Sequence, residues 1–243
     1  MKLLLTGFEP FGGETINPAQ EALALVPDRI GALKIVKLIL PVVFGKSIAV
    51  VRAALREHRP DAVLCIGQAG GRMEATPERV ALNLNDARIP DNDKNQPVDE
   101  PIFADGPAAY FATLPVKEMV AAIRSAGLPA RVSNTAGLFV CNQVMYGVLY
   151  HLAHELPHTL GGFMHVPYAP EQAARQSAPQ PSMSKDDIAR AITAAIGTED
   201  FAFPETLRLD CEVRAYLPGV TDPESWTPDA RFTFEFPLDA RFR

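Results

Sequence analysis

The sequence predicts an α/β fold: a single domain of three layers (α/β/α) around a mostly parallel, twisted central sheet, followed by a β-like C-terminal extension. Up to about Gly197, short apolar runs typical of buried strands alternate with stretches of helical periodicity. This alternation is typical of parallel strands joined by helices. Beyond Gly197, apolar and polar residues alternate singly, as in strands with one polar face. We therefore expect a main domain over residues 1–197 and an extension over 198–243.

Composition and charge narrow the class of protein. The chain has 243 residues, 47% of them hydrophobic, which is enough for one sizeable core. With 23 basic and 29 acidic residues the net charge is −6, so no global basic field exists to bind nucleic acid. No apolar run approaches the ~20 residues of a membrane span, and the N-terminal run is too short for a signal peptide. Because three cysteines cannot all pair, a reducing compartment is favoured, and we expect a soluble cytoplasmic protein.

The first half of the chain contains most of the expected strands. A helix is expected from Asn17-Pro18, because asparagine is a favourable N-cap and proline fits the first helical turn. A second helix is expected where Ile48, Val51 and Leu55 fall on one face. This helix covers residues 46–58, and the predicted strands cover 2–6, 32–40, 61–66 and, with one polar face, 78–85.

The second half opens with a long irregular excursion over residues 88–106, rich in Pro, Asp and Asn. Long loops of this kind are often functional. Ser184 begins the last helix in a capping-box pattern, and residues 169–182 before it are interpreted as a linker. The remaining elements are helices over 116–125, 141–154 and 184–196 and strands over 130–133 and 160–166.

The tail carries two alternating runs, over residues 207–215 and 232–236, separated by a loop over 218–229 that contains Trp226. Paired alternating runs favour a β-hairpin appended to the sheet edge. A partly disordered tail is the competing interpretation.

Cys141 is the most informative single position for chemistry. It stands at the start of a helical pattern, where unpaired backbone N–H groups favour a thiolate and can hold an oxyanion. Most cysteines are buried structural residues, and Cys65 and Cys211, both within predicted strands, fit that role. The context of Cys141 predicts a nucleophile.

A cysteine nucleophile needs a base and a group that orients it. Among five histidines, His165 closes an apolar strand, and ligands bind at the carboxyl ends of strands in open α/β sheets. A carboxylate usually orients the imidazole, and Glu78, Asp86 and Asp91 are candidates. Sequence separation does not choose among these three.

The glycine-rich segment 7–13 follows the first strand, as phosphate-binding loops do. It lacks both the GxGxxG spacing and the GK[ST] lysine, and Glu9 would repel a phosphate. The rings of Phe8 and Phe11 are as well explained by a small apolar ligand as by packing in the core.

Several segments in one order resemble the pyroglutamyl peptidase I family of cysteine peptidases. They are Leu4-Leu5-Thr6-Gly7-Phe8-Glu9-Pro10-Phe11-Gly12-Gly13 with Asn17-Pro18, Gly67-Gln68-Ala69-Gly70-Gly71-Arg72, Pro77-Glu78-Arg79-Val80-Ala81, Asn85-Asp86-Ala87-Arg88-Ile89-Pro90-Asp91-Asn92, Ser133-Asn134-Thr135-Ala136-Gly137 through Cys141-Asn142, Gly162-Phe163-Met164-His165-Val166-Pro167 and Pro181-Ser182-Met183-Ser184. The resemblance runs from Met1 to about Gly197, and the tail departs from the family pattern.

The resemblance implies an enzyme that removes an N-terminal pyroglutamyl residue from peptides. It implies Cys141 as nucleophile, His165 as general base and then acid, Glu78 as the carboxylate that orients His165, and Arg88 as a charge-stabilising residue near the cysteine. It implies a substrate pocket formed by Phe8, Phe11, Asn17, Gln68, Ile89, Phe139 and Val140. It also implies a homotetramer, with no metal or organic cofactor.

Two other functions remain to be weighed. A glutaminase-type amidohydrolase would use the same nucleophile, but its pocket would need polar contacts for a free amino-acid head, which two phenylalanines do not supply. A catalytically silent α/β module would bind a small ligand or partner without turnover. The presence of Cys141, His165 and Glu78 together argues against the silent module.

Overall fold

The computed structural model describes residues 1–197 together with 206–213 and 230–237. The chain divides into two compact units, Met1–Phe201 and Ala202–Arg243. The first unit contains every element of the α/β domain. Among the residues described, no helix is both long and apolar enough to cross a membrane.

A six-stranded sheet forms the centre of the first unit. Its strands are β1 (Lys2–Phe8), β2 (Arg29–Ile30), β3 (Leu33–Leu40), β4 (Ala62–Gln68), β5 (Thr76–Glu78) and β8 (Leu160–Val166). They lie in the order β2-β3-β1-β4-β8-β5. The inner strands β3, β1, β4 and β8 are all parallel, and the two edge strands, β2 and β5, run antiparallel to their neighbours. A separate antiparallel pair joins β6 (Val80–Leu82) to β7 (Ala109–Phe111).

Helices cover both faces of this sheet, which gives the predicted three layers. The helices are α1 (Pro18–Leu25), α2 (Lys46–His58), α3 (Val116–Ser125), α4 (Val140–Glu155), α5 (Pro170–Ala173) and α6 (Lys185–Ile196). Because side chains alternate along a strand, Leu3 and Leu5 of β1 pack with α1, α3 and α6, whereas Leu4 belongs to the core shared with α2 and α4.

Two helices begin where side-chain capping predicts. The Asn17 side chain accepts a hydrogen bond from the Ala19 amide at 3.0 Å, and Pro18 occupies the first turn of α1. Ser184 accepts from the Asp187 amide at 3.1 Å at the start of α6. Each cap satisfies an amide that has no partner within its own helix.

The single strand predicted over 78–85 is wrong, because the chain divides it between two sheets. Glu78 belongs to β5, which pairs with β8, whereas Val80 begins β6. Between them, the Arg79 amide bonds to the Ser133 carbonyl at 2.8 Å. The strand predicted over 130–133 is reduced to isolated bridges at Ala130 and Ser133.

The stretch 169–182, predicted to be a linker, contains the short helix α5. Its Gln172 is fully buried, accepts from the Ala169 amide at 3.1 Å and donates to Gln68 Oε1 at 3.1 Å. The segment therefore supports the end of β4. The excursion over 88–106 has no helix or strand, as predicted, but Asp91 anchors it by accepting from the Phe44 amide at 2.8 Å.

In the second unit, β9 (Thr206–Val213) and β10 (Ala230–Pro237) form the antiparallel pair that the alternating runs predict. The loop predicted over 218–229, with Trp226, lies outside the described residues.

Candidate active site

The sheet itself brings the predicted base and one candidate carboxylate together. His165 pairs in register with Thr76 of β5, and Glu78 follows two residues later on the same strand. Glu78 Oε1 lies 2.7 Å from His165 Nδ1, and both side chains are buried. If Nδ1 carries the proton and donates it to this carboxylate, Nε2 is free to accept one. The other two candidate carboxylates are not at this histidine. Asp86 is exposed, and Asp91 lies within the excursion over 88–106, where it accepts from the Asn95 amide.

Arg72 is a third member of this arrangement that the sequence analysis assigned no role. Its Nη1 donates to Glu78 Oε1 and to Thr76 Oγ1, each at 2.6 Å, and its Nη2 donates to the Thr135 carbonyl at 3.1 Å. Thr76 Oγ1 donates in turn to the His165 carbonyl at 3.4 Å. The available signal was a basic residue that ends a glycine-rich turn just before the strand of Glu78.

Cys141 is the second residue of α4, next to a helix start without a side-chain cap. In the described part of the chain, the amides of Val140 and Cys141 donate to no carbonyl and to no other residue's side chain, so they are available to an oxyanion. A Cβ built on Gly67 would lie 3.0 Å from Cys141 Sγ and 2.6 Å from the Phe163 ring. Glycine at position 67, the register partner of His165, therefore makes room for the sulfur.

Burial sets the protonation states of the pair. It raises the pKa of the Cys141 thiol to about 12, with the Glu78 charge acting in the same direction and the Arg72 charge against it. Burial lowers the pKa of His165, although the hydrogen bond to Glu78 opposes the shift. Burial would also raise the pKa of Glu78, but hydrogen bonds and charge from His165, with help from Arg72, hold it below its ordinary value. These shifts favour a thiol, a neutral imidazole and a carboxylate at neutral pH.

Cys141 lies at the junction of two cavities. A small apolar cavity of about 10 Å³ is lined by Phe8, Phe11, Asn17, Val42, Gln68, Phe139, Val140 and Cys141. A cleft of about 630 Å³ contains Cys141 and His165 together with Arg88, Ile89 and Tyr168.

The predicted pocket residues divide between these cavities. Phe8 is also part of the core, whereas Phe11 is half-buried and lines both cavities. The Asn17 amide is committed to the backbone, since it caps α1 and donates to the Glu9 carbonyl at 3.0 Å. Ile89 and Arg88 are exposed, and they line the larger cleft but not the small cavity. Val42 lines the small cavity and was missed, because a valine after a strand carries no distinguishing signal.

Within residues 1–197 and the two tail strands, no group of three or more His, Cys, Asp or Glu side chains is arranged to hold a metal ion. The arrangement can instead perform acyl transfer: a thiol nucleophile, a base with an orienting carboxylate, and free amides at a helix start.

Comparison with known proteins places this geometry in a family. The family model described as "Pyroglutamyl peptidase" matches residues 1–200. The pyrrolidone-carboxylate peptidase of Clostridium botulinum is 53% identical over 196 residues, which are 81% of this chain and 92% of that protein. The Streptococcus pyogenes protein of the same name is 57% identical over 81% of this chain and 91% of its own length.

Solved structures agree with these sequence matches. Pyroglutamyl peptidase I of Bacillus amyloliquefaciens has a TM-score of 0.79 at 51% identity, covering 83% of this chain and 97% of that one. A variant of the pyrrolidone carboxyl peptidase of Pyrococcus furiosus has a TM-score of 0.78 at 45% identity, covering 81% and 96%. On this evidence the chain belongs to the pyroglutamyl peptidase family.

Proposed function

We propose that the protein is a cysteine exopeptidase that hydrolyses the amide bond after an N-terminal pyroglutamyl residue. The observation that carries the proposal is the position of Cys141 between a small apolar cavity and a cleft lined by His165, whose Nδ1 lies 2.7 Å from the buried Glu78 carboxylate. The small cavity would receive the acyl group, and the cleft would receive the leaving peptide. Family membership supports the same assignment.

The lactam ring suits the small cavity chemically. Pyroglutamate is neutral and mostly apolar, so aromatic walls from Phe8, Phe11 and Phe139 would hold it, with Asn17 and Gln68 near its polar edge. Glutamate or glutamine would bring charge or extra polar groups that these walls leave unpaired. A volume of about 10 Å³ holds no more than one water molecule, so binding requires the half-buried Phe11 to move.

The first half of the reaction forms a thioester. As Cys141 Sγ attacks the pyroglutamyl carbonyl carbon, its proton passes to His165 Nε2, and Glu78 stabilises the imidazolium through Nδ1. The free amides of Val140 and Cys141 hold the oxyanion. When the C–N bond breaks, the imidazolium donates its proton to the leaving amine.

The second half releases pyroglutamate. Water attacks the thioester carbon while His165 takes its proton, and breakage of the C–S bond returns that proton to the Cys141 sulfur. Arg88, exposed in the cleft, is proposed to stabilise charge at the reacting centre.

The test is hydrolysis of a fluorogenic pyroglutamyl amide beside the prolyl and glutaminyl amides. Turnover of the pyroglutamyl compound alone, lost in Cys141→Ala and kept in Cys65→Ala, is the expected result. Cys65 is a matched control because it is a buried free thiol within β4. If folded, reduced protein turns over none of the three compounds, the silent binding module is the better account. Turnover by Cys141→Ala at the wild-type rate would remove the nucleophile assignment.

We also propose that residues 1–197 are the complete catalytic domain and 198–243 an extension. Every site residue precedes Thr198, and the family match ends at residue 200. A chain ended after Phe201 is expected to keep kcat/KM for the pyroglutamyl amide. Loss of activity from a folded truncated chain would assign the extension a part in catalysis.

We propose that the protein is a cytoplasmic homotetramer. The tetramer is the assembly that the resemblance of its motifs to the family implies. Among the described side chains, Cys65 and Cys141 are free, which fits a reducing compartment, and the exposure of Phe111 (68%) on β7 fits a subunit contact. Light scattering after size-exclusion chromatography tests the assembly. A monomeric mass at micromolar concentration would contradict it.

A further inference from the structure

Arg72 is linked to both the side chain and the backbone of His165, the proposed base. Through Glu78 it reaches the His165 side chain, and through the Thr76 hydroxyl it reaches the His165 carbonyl. Its third bond, to the Thr135 carbonyl, joins the segment that leads into α4 and Cys141. One guanidinium therefore connects two neighbouring strands and the approach to the nucleophile.

We propose that Arg72 is a positioning residue for this hydrolysis, which fixes the Glu78–His165 pair and balances the charge of the site. The inference rests on the proposed function. Arg72 acts through Glu78 and Thr76, with its bonds at 2.6 Å to each.

The charge count gives the physical reason. When the proton moves from Cys141 to His165, the site holds a thiolate, an imidazolium and the Glu78 carboxylate, a net charge of −1. The Arg72 guanidinium, whose side chain is 21% exposed against 0% for Glu78, brings that sum to zero. The sum is the same before the proton moves, so the guanidinium offsets the buried carboxylate in both states. Its charge favours the Cys141 thiolate and disfavours the His165 imidazolium, which the carboxylate that it holds in place stabilises.

Other polar groups lie near this cluster. The Cys65 thiol of β4 raises the pKa of Cys141, and the Ser133 hydroxyl lowers the pKa of Glu78. Glu14, Asp86 and Arg88 line the same cleft as His165. Among the groups that bear on the pKa of Glu78, Cys141 and His165, Arg72 is the permanent cation in direct contact with the carboxylate.

The shape of the arginine side chain matters as well as its charge. Its planar fork donates to three acceptors on different segments, which a lysine ammonium on a flexible stem cannot reproduce in the same arrangement. Charge and bridging can therefore be separated by substitution.

The experiment compares Arg72→Met, which removes charge and bridging, with Arg72→Lys, which keeps the charge. Arg131→Met is the matched control, because Arg131 also joins the 130–135 segment to the loop before β5, through Glu74, but outside the site. The readouts are kcat and KM for the pyroglutamyl amide across pH, and the pH dependence of iodoacetamide labelling at Cys141, located by mass spectrometry. Thermal melts verify that each variant is folded.

For Arg72→Met we expect kcat to fall about 10- to 100-fold, with KM within about twofold. A loss of this size is typical when a residue that orients a functional histidine from behind is removed, as is known for histidines that bind metals. Loss of the cation raises the pKa of the buried Glu78 carboxyl, so the acid limb of kcat moves to higher pH. Labelling of Cys141 moves to higher pH as well, because the guanidinium favours the thiolate. Arg72→Lys should keep the acid limb near that of wild type with an intermediate kcat, and Arg131→Met should match wild type.

A double-mutant cycle isolates the route through the carboxylate. In a Glu78→Gln background, Arg72→Met is expected to cost much less than in wild type. Fully additive losses, an unmoved acid limb in both Arg72 variants, or an equal loss in Arg131→Met would overturn the proposal. If Arg72→Met does not fold, Arg72→Lys and the cycle built on it decide. If wild type hydrolyses no pyroglutamyl amide, the proposed function fails, yet the labelling profile still tests the effect of Arg72 on Cys141.

Discussion

At Cys141 and His165, burial favours the neutral thiol and the neutral imidazole, and it acts against the thiolate that the helix start favours. The amide at the start of α4 does lower the pKa of the thiol, but burial outweighs it and raises the pKa to about 12. Burial likewise keeps the imidazole unprotonated. Attack on the substrate must therefore coincide with proton transfer to His165, so orientation of the imidazole is decisive.

Replacing Glu78 by glutamine tests that orientation. The amide keeps the size of the side chain but loses the charge that stabilises the imidazolium, so kcat should fall on the order of 10²–10⁴-fold. KM should change little, because Glu78 lines neither cavity. Steady-state hydrolysis of the pyroglutamyl amide measures both, and Asp86→Asn, which alters an exposed carboxylate of the cleft, is the control. Equal effects of the two changes would argue against a special role for Glu78.

Alkylation follows from the same protonation states. Cys141 is half-buried as a residue, and the pKa of its thiol is raised. Iodoacetamide should therefore label it slowly near pH 7 and faster as the pH rises. Cys65, fully buried with its pKa also raised to about 12, should stay unlabelled while the protein is folded. Activity should fall in proportion to the label at Cys141. Full labelling with unchanged activity would contradict the nucleophile assignment.

Among the elements, those determined by local sequence were the predictable ones. The periodicity of Lys46–His58 and Val116–Ser125, and the apolar run Leu160–Val166, each give the observed bounds. The division at Arg79 was not predictable, since it depends on the pairing of β5 with β8, a strand more than eighty residues later.

The site shows the same limit. Local context indicated Cys141 and His165, but the choice of Glu78 over Asp86 came from family resemblance and not from spacing. The role of Arg72 was missed because its partners, Glu78 and Thr135, meet it through long-range packing.

The two capped helices allow stability to be separated from the site. Asn17→Ala and Ser184→Ala each remove a cap, so each should cost about 0.5–2 kcal/mol, or a few degrees in Tm. Only Asn17 lines the small cavity, so Asn17→Ala alone should raise KM for the pyroglutamyl amide. Melting curves and kinetics on the same samples check both parts. A raised KM in Ser184→Ala would show that loss of stability itself disturbs the pocket.

For the whole molecule, buried ionisable groups make the fold sensitive to acid. The lowered pKa of His165 means that the unfolded chain takes up a proton first, so stability falls as the pH drops below about 6.5. Glu78 and Asp91, whose pKa values are also lowered by their hydrogen bonds despite burial, contribute stability that is lost as the pH falls further, below about 4.

Urea unfolding between about pH 4 and pH 8 measures this dependence. The free energy of unfolding should decline from pH 7 downward, and His165→Asn should flatten the first part of the decline. Each unit of difference between folded and unfolded pKa contributes about 1.4 kcal/mol. A wild-type stability independent of pH between 5 and 7 would contradict the lowered pKa of His165.

The strand order has a consequence for synthesis of the chain. β5, which carries Glu78, has β8 as its sheet neighbour, and β8 brings His165 and fills the place beside β4. A chain that ends before β8 therefore lacks both the strand that joins β5 to β4 and the imidazole that pairs with Glu78. During synthesis the Glu78–His165 pair can form only in the step that completes the central sheet, when Cys141 has already been made.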